Sequence, residues 1–142
     1  MLTHEIVGVW KLVKFVSKEV ESGTEHLSFG ENPVGHIIYT PGGHVATIAV
    51  GTDRKASASP NPSDLERAEL LRSMFAYSGT YRVDGDWVVH DVETSWHQGW
   101  TGTTQRRKAV LGGKVLTLTT PPYKGVQSGK EIVATITWER IE

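Results

Sequence analysis

The sequence predicts an all-β protein, an eight- to nine-stranded antiparallel barrel or sandwich carrying one amphipathic helix. Three observations predict it. Most of the chain consists of short runs that alternate apolar and polar residues and are rich in Val, Ile, Thr and aromatics, the pattern of half-buried strands. Glycine dipeptides able to take positive φ punctuate the runs, in PGGH (Pro41–His44), VDGD (Val83–Asp86) and LGGK (Leu111–Lys114), as tight hairpins require. One segment alone switches to helical spacing. Of the two architectures, a barrel removes the exposed edges that a meander of this kind leaves.

In chain order the strand runs are Ile6–Val16, Val34–Thr40, Val45–Val50, Tyr77–Val83, Trp87–Thr94, Thr103–Leu111, Val115–Thr120 and Ile132–Ile141, with a weaker one near Glu25–Phe29. The helix is expected from about Ser63 to Phe75. Ser63 and Glu66 have the spacing of a capping box, and Leu65, Ala68, Leu71 and Phe75 recur on one face. Before it, GTDRKASASPNP reads as a polar loop.

Composition bounds the function. A chain of 142 residues with 38% hydrophobic content supports one core, so one domain over residues 1–142 is expected. Fifteen basic against sixteen acidic residues give no field for nucleic acid or an anionic membrane. The absence of cysteine excludes disulfides, thiol catalysis and cysteine-ligated metals. MLTHEIVGVWKLVKF has no apolar run of signal-peptide length, and a soluble, cytoplasmic protein is the expectation.

The turns allow faces to be counted. With Asp84-Gly85 and Gly112-Gly113 as two-residue loops, and Thr94 taken to pair with Thr103, the inner face reads in three rows. They are Tyr81, Val88, Ala109, Leu116; Gly79, His90, Arg107, Leu118; and Tyr77, Val92, Gln105, Thr120. Gly79 leaves room beside His90. Asp91 falls opposite Arg106 on the outer face, a favourable cross-strand pair. An inward Arg107 requires an internal acid, a wet cavity, or a polar or anionic ligand, and this face supplies no acid.

GVW at Gly8–Trp10 resembles the Gly-x-Trp signature of the first lipocalin strand. In those barrels the Trp closes one end against a basic residue of the last strand, a role that WER (Trp138–Arg140) offers to Arg140. FGENPVGHIIYTPGGHV, AYSGTYRVDG, VVHDVETSW, GWTGTTQRRKAVLGGKVLTLTTPP and ITWER follow in the order and spacing of short bacterial and fungal lipocalin-like proteins, over nearly the whole chain. That family's H-x-V-E-x-S, N-W-x-G and Q-x-R pattern maps onto His90, Val92, Glu93, Ser95, Trp100, Gly102, Gln105 and Arg107. Two positions depart from it: His36 follows Gly35 where Tyr is common, and Gln98-Gly99 precedes Trp100 where Pro-Asn is frequent. The resemblance implies a lipocalin-like barrel with a cavity. By fold analogy it implies binding of small apolar molecules or, more rarely, isomerisation, cyclisation or dehydration.

The expected function is binding of a small, largely apolar molecule with a carbonyl, phenolic or carboxylate group. The candidate contacts are His36, Tyr39, Tyr77, Tyr81, His90, Trp96, Trp100, Gln105 and Arg107, with Trp96 and Trp100 either plugging the barrel or lidding a ligand. The alternative is a cofactor-independent cyclase or isomerase of a polyketide-like or terpenoid substrate. There His90 would be the general acid/base and Arg107 would stabilise an oxyanion. A filled barrel serving protein interaction is the third reading. No cofactor or metal is expected: the histidines at 4, 26, 36, 44, 90 and 97 form no H-x-H or H-x-x-x-H pair, although haem on a single His stays open. TSWHQG is not a nucleophile elbow, and no phosphate-binding glycine loop occurs. A homodimer is compatible with the sequence.

Overall fold

Period-two alternation requires each strand to bury one face, and the chain does so by closing a sheet on itself. A computed structural model describes Met1–Glu142. Its strands are β1 (Gly8–Glu19), β2 (Glu25–Leu27), β3 (Val34–Tyr39), β4 (His44–Val50), β5 (Met74–Asp84), β6 (Trp87–Ser95), β7 (Thr104–Gly112), β8 (Val115–Thr119), β9 (Tyr123–Lys124) and β10 (Glu131–Arg140). Eight of them run β1-β3-β4-β5-β6-β7-β8-β10, and β10 pairs antiparallel with β1 to close the barrel. The short β2 and β9 add to β1 and β10. A one-turn helix α1 (Thr3–Ile6) precedes β1, and α2 (Asp64–Arg72) links β4 to β5. No helix is long and apolar enough to cross a membrane.

The expected strands and the single long helix are all present; β9 and α1 lie where no periodicity marked them. Helix α2 is capped as Ser63 and Glu66 require: Ser63 Oγ accepts from the Glu66 amide, and Glu66 Oε1 accepts from the Ser63 amide. It ends at Arg72, so Phe75 belongs to β5 and not to the helix. None of its residues is buried; Leu65 is 69% and Leu71 51% exposed. The helix is therefore not packed down by an apolar stripe. Arg54 holds it instead, donating to Ser73 Oγ and the Leu70 carbonyl at its C-terminal end.

The hairpin turns sit one residue later than expected. Asp84 pairs with Trp87 and Gly112 with Val115, so Gly85-Asp86 and Gly113-Lys114 are the loops. Gly85 and Gly113 take φ of 59° and 62°, and a leading glycine with positive φ is the order of a type II′ turn. Each partner moves by two positions, so faces are kept while rows shear: His90 lies opposite Tyr81 and Gln105, and Val88 opposite Arg107. Val92 bonds to Thr103 across the β6–β7 connection, correcting the Thr94–Thr103 pairing. Asp91 thereby faces Thr104, and its carboxylate pairs with Arg82 at 2.5 Å. Arg106 does not reach Asp91; it stacks on Trp87, 4.5 Å from the ring centroid.

A bulge between Ser78 and Gly79 leaves Glu93 as the extra residue of β6. Gly79 is needed there for backbone clearance and not to make room for His90, because an added Cβ would overlap the Asp91 carbonyl.

One barrel end is solid. Ile6, Trp10, Leu12, Leu116 and Trp138 are fully buried there, Trp10 Nε1 donates to the Ile6 carbonyl, and Arg140 covers the Trp10 ring. The other end opens beneath α2.

Candidate functional site

A cavity of about 530 Å³ occupies the open half of the barrel. Its wall is rich in aromatic side chains. Phe15, Phe29 and Phe75 form a cluster with ring centroids 4.9–5.6 Å apart. Trp96, Trp100 and Tyr123 form the rim, with Trp96–Trp100 at 5.2 Å and Trp100–Tyr123 at 6.1 Å. Ala68, Leu71 and Arg72 of α2 lie across the mouth.

The polar end is built by three neighbouring strands. Tyr77 on β5, His90 on β6 and Arg107 on β7 face the cavity, because alternation from the buried Val88, Val92 and Ala109 points them inward. Tyr39 on β3 stands behind His90. His90 is 1% exposed, and both ring nitrogens are engaged: Nε2 with Tyr39 Oη at 2.7 Å and Nδ1 with Tyr77 Oη at 2.6 Å. Burial, reinforced by the Arg107 charge, pushes its pKa down to about 3, so the ring is neutral and carries one N–H.

The hydrogen bonds assign that proton. Tyr39 is 1% exposed and its hydroxyl meets His90 alone, so Tyr39 must donate or strand a buried O–H. Nε2 is then the acceptor, and Nδ1–H donates to Tyr77 Oη. Tyr77 keeps its own proton for a group in the cavity. Both phenols stay protonated, since burial raises their pKa values against the opposing pull of Arg107. No imidazole nitrogen is left to meet a ligand; the hydrogen-bonding atom presented is the Tyr77 hydroxyl.

Arg107 is 6% exposed. It donates to the Arg106 carbonyl at 3.0 Å and lies 5.9 Å from the Trp100 ring centroid. None of the ion pairs in the molecule includes it. Arg107 points inward and Arg106 outward, as alternation predicts; of the partners left open for an inward Arg107, an internal acid is not among its contacts.

The remaining candidates divide. Trp96 and Trp100 line the cavity. Tyr81 is buried but off the cavity wall, its hydroxyl donating to the Thr40 carbonyl at 2.8 Å. Gln105 is half-buried and donates to Thr103 Oγ1 at 2.8 Å, also off the wall. His36 is exposed on the outer face of β3. It lies three residues from the inward Tyr39, so the two point to opposite sides of one strand. The three-residue loop Pro41–Gly43 also sets His36 opposite Ile48, where a two-residue Gly42-Gly43 loop would set it opposite Ala49. Sequence reasoning missed the Phe15–Phe29–Phe75 cluster and Tyr123. Phe15 falls within an expected strand, but Phe75 is expected on the helix and Phe29 in a weak run, so no shared face joins the three, and nothing in PPYKG marks Tyr123 as part of a wall.

A closed eight-stranded antiparallel barrel, solid at a Trp–Arg end and hollow at the other, is a ligand-cavity architecture. The chain belongs to the lipocalin-like domain family, whose model matches residues 7–141. It is 34% identical over 87 residues to an Aspergillus oryzae protein named as a 4'-hydroxy-3'-methoxypropiophenone carrier protein, covering 56% of this chain and 78% of that one.

Proposed function

We propose that this protein is a carrier that holds a small, largely apolar molecule inside the barrel, its polar end at Tyr77 and Arg107. One observation carries the reading: an aromatic-walled cavity of about 530 Å³ contains a buried arginine with no acidic partner. A barrel filled for structural reasons alone would have no use for either. The carrier name of the relative supports the same reading, as does family membership. Aryl ketones fit the wall: a planar ring stacks among Phe15, Phe29 and Phe75, and a carbonyl or phenolic oxygen accepts from Tyr77 and Arg107.

The test is a titration with 4'-hydroxy-3'-methoxypropiophenone, the compound of the relative's name, followed by tryptophan fluorescence. Trp96 and Trp100 on the rim should report a saturable, one-to-one change. Native mass spectrometry of the protein as purified should show a bound small molecule or an exchangeable site. No saturable change with this or any related aryl compound would overturn the reading.

A further inference from the structure

Resting on the binding function proposed above, we infer that the cavity takes its ligand as an anion: an apolar molecule whose one ionised oxygen group neutralises Arg107. The charge inventory leads there. The one carboxylate on the cavity wall is Glu19, and it is already shared by His26 Nε2 at 2.5 Å and Lys130 Nζ at 3.3 Å near the mouth. Arg107, nine-tenths buried, has no counter-ion. A guanidinium cannot shed its proton at any working pH, so its charge must be met from outside the chain or remain unmet in an aromatic pocket.

The hydrogen-bond inventory leads to the same place. The guanidinium makes one hydrogen bond of good geometry to the protein, to the Arg106 carbonyl, and a weaker approach to the Tyr77 hydroxyl, whose pKa it pulls down against burial. Trp138 lines the cavity, is 1% exposed, and its indole N–H has no partner. Tyr77 retains its hydroxyl proton. Among the wall's other hydroxyls, Thr120 accepts from the Ala134 amide, Thr47 donates to the His36 carbonyl, Ser17 pairs with Ser28 and Ser128 accepts from the Lys130 amide, while the Tyr123 hydroxyl, kept protonated by burial, is a further donor. Around Arg107 the interior thus offers donors and positive charge and no available carboxylate. An amine or a polyol would leave Arg107 uncompensated. A neutral carbonyl satisfies the donors but not the charge. A carboxylate, or an acidic phenol or enol bound in its ionised form, satisfies both.

Two fluorescent probes of nearly equal shape isolate the charge. The probes are 8-anilinonaphthalene-1-sulfonate and N-phenyl-1-naphthylamine, which differ by one sulfonate. The wild-type protein should bind the sulfonate at least about ten-fold more tightly, the scale of a charge-assisted hydrogen bond in a buried site. Arg107→Met should remove that preference by weakening the sulfonate and sparing the neutral amine. Arg107→Lys should keep part of it. Arg106→Met, on the outer face, should change neither. Equal or tighter binding of the neutral probe by the wild type overturns the anion inference while leaving the cavity reading intact. Failure of both probes to bind overturns the cavity reading itself, and the inference with it. The wild-type comparison decides the question even where a variant does not fold.

Discussion

The Arg140 guanidinium lies 4.2 Å over the Trp10 ring, and the two residues are register partners on β10 and β1. Last strand thus meets first at the point where the barrel must close. Arg140 also donates to the carbonyls of Val7, at 2.6 Å, and Glu5, tying α1 down over the ring. Trp10 is fully buried, so Trp10→Ala should lower stability by ~3–5 kcal/mol, the cost of truncating a core aromatic. Chemical denaturation measures this; an unchanged midpoint would show that closure does not depend on the pair.

Arg107→Met should leave stability unchanged or slightly raised. No acid is stranded by the change, and a desolvated charge gives way to an apolar chain of similar length. An arginine paired with a buried carboxylate would behave oppositely, losing ~3–5 kcal/mol on removal. Thermal denaturation beside the fluorescence titration separates the two: large destabilisation with unchanged affinity would sink the binding role.

His90 should make the fold acid-sensitive in a defined window. Its folded pKa is near 3, below the unfolded value of about 6.5, so the unfolded chain binds the proton more readily. The stabilisation is complete above pH ~6.5 and is lost as pH falls towards the folded value, by about 1.4 kcal/mol per unit at most. Carboxylates titrate mainly below pH ~4.5, and comparison with His90→Gln sets this histidine apart from the other five. Melting curves between pH 7 and 4.5 should slope for the wild type and flatten for His90→Gln; parallel curves would refute the assignment.

The two tyrosines on His90 should both matter for stability and only one of them for affinity. Tyr39→Phe leaves Nε2 without its donor in a buried place and should cost ~1–3 kcal/mol of stability with little effect on ligand. Tyr77→Phe strands the buried His90 Nδ1–H and should cost a similar ~1–3 kcal/mol of stability; because it also removes the hydroxyl that faces the cavity, it should in addition weaken an oxygen-bearing ligand by ~0.5–1.5 kcal/mol. An affinity unchanged by Tyr77→Phe would mean that the imidazole carries its proton on the other nitrogen and Tyr77 spends its own on Nδ1.

Gly79→Ala should be among the most damaging small substitutions in the chain. A Cβ there overlaps the Asp91 carbonyl at the β5–β6 bulge, and backbone cannot step aside as a side chain can. The loss should reach or exceed the upper end of the ~1–3 kcal/mol usual for overpacking, read from the denaturation midpoint.

What the sequence determined by itself was the set of elements and which face of most strands looks inward. Alternation fixes faces because the side-chain period is two. A turn misplaced by one residue moves a partner by two and leaves those faces intact, so His90 and Arg107 were rightly placed inside despite wrong partners. Trp10 and Arg140 were legible through their positions on the first and last strands. The exact neighbours depended on details that local pattern does not encode. The hairpin turn at Gly85-Asp86, the Val92–Thr103 junction and the three-residue loop at Pro41–Gly43 decided who sits beside whom, taking Asp91 from Arg106 to Arg82 and putting His36 opposite Ile48. Only barrel closure could bring Tyr39, 51 residues away in sequence, onto His90. The neutral His90, the free Tyr77 hydroxyl and the solitary Arg107 are therefore properties of the assembled cavity, because burial and the absence of a counter-ion exist only once all eight strands surround them.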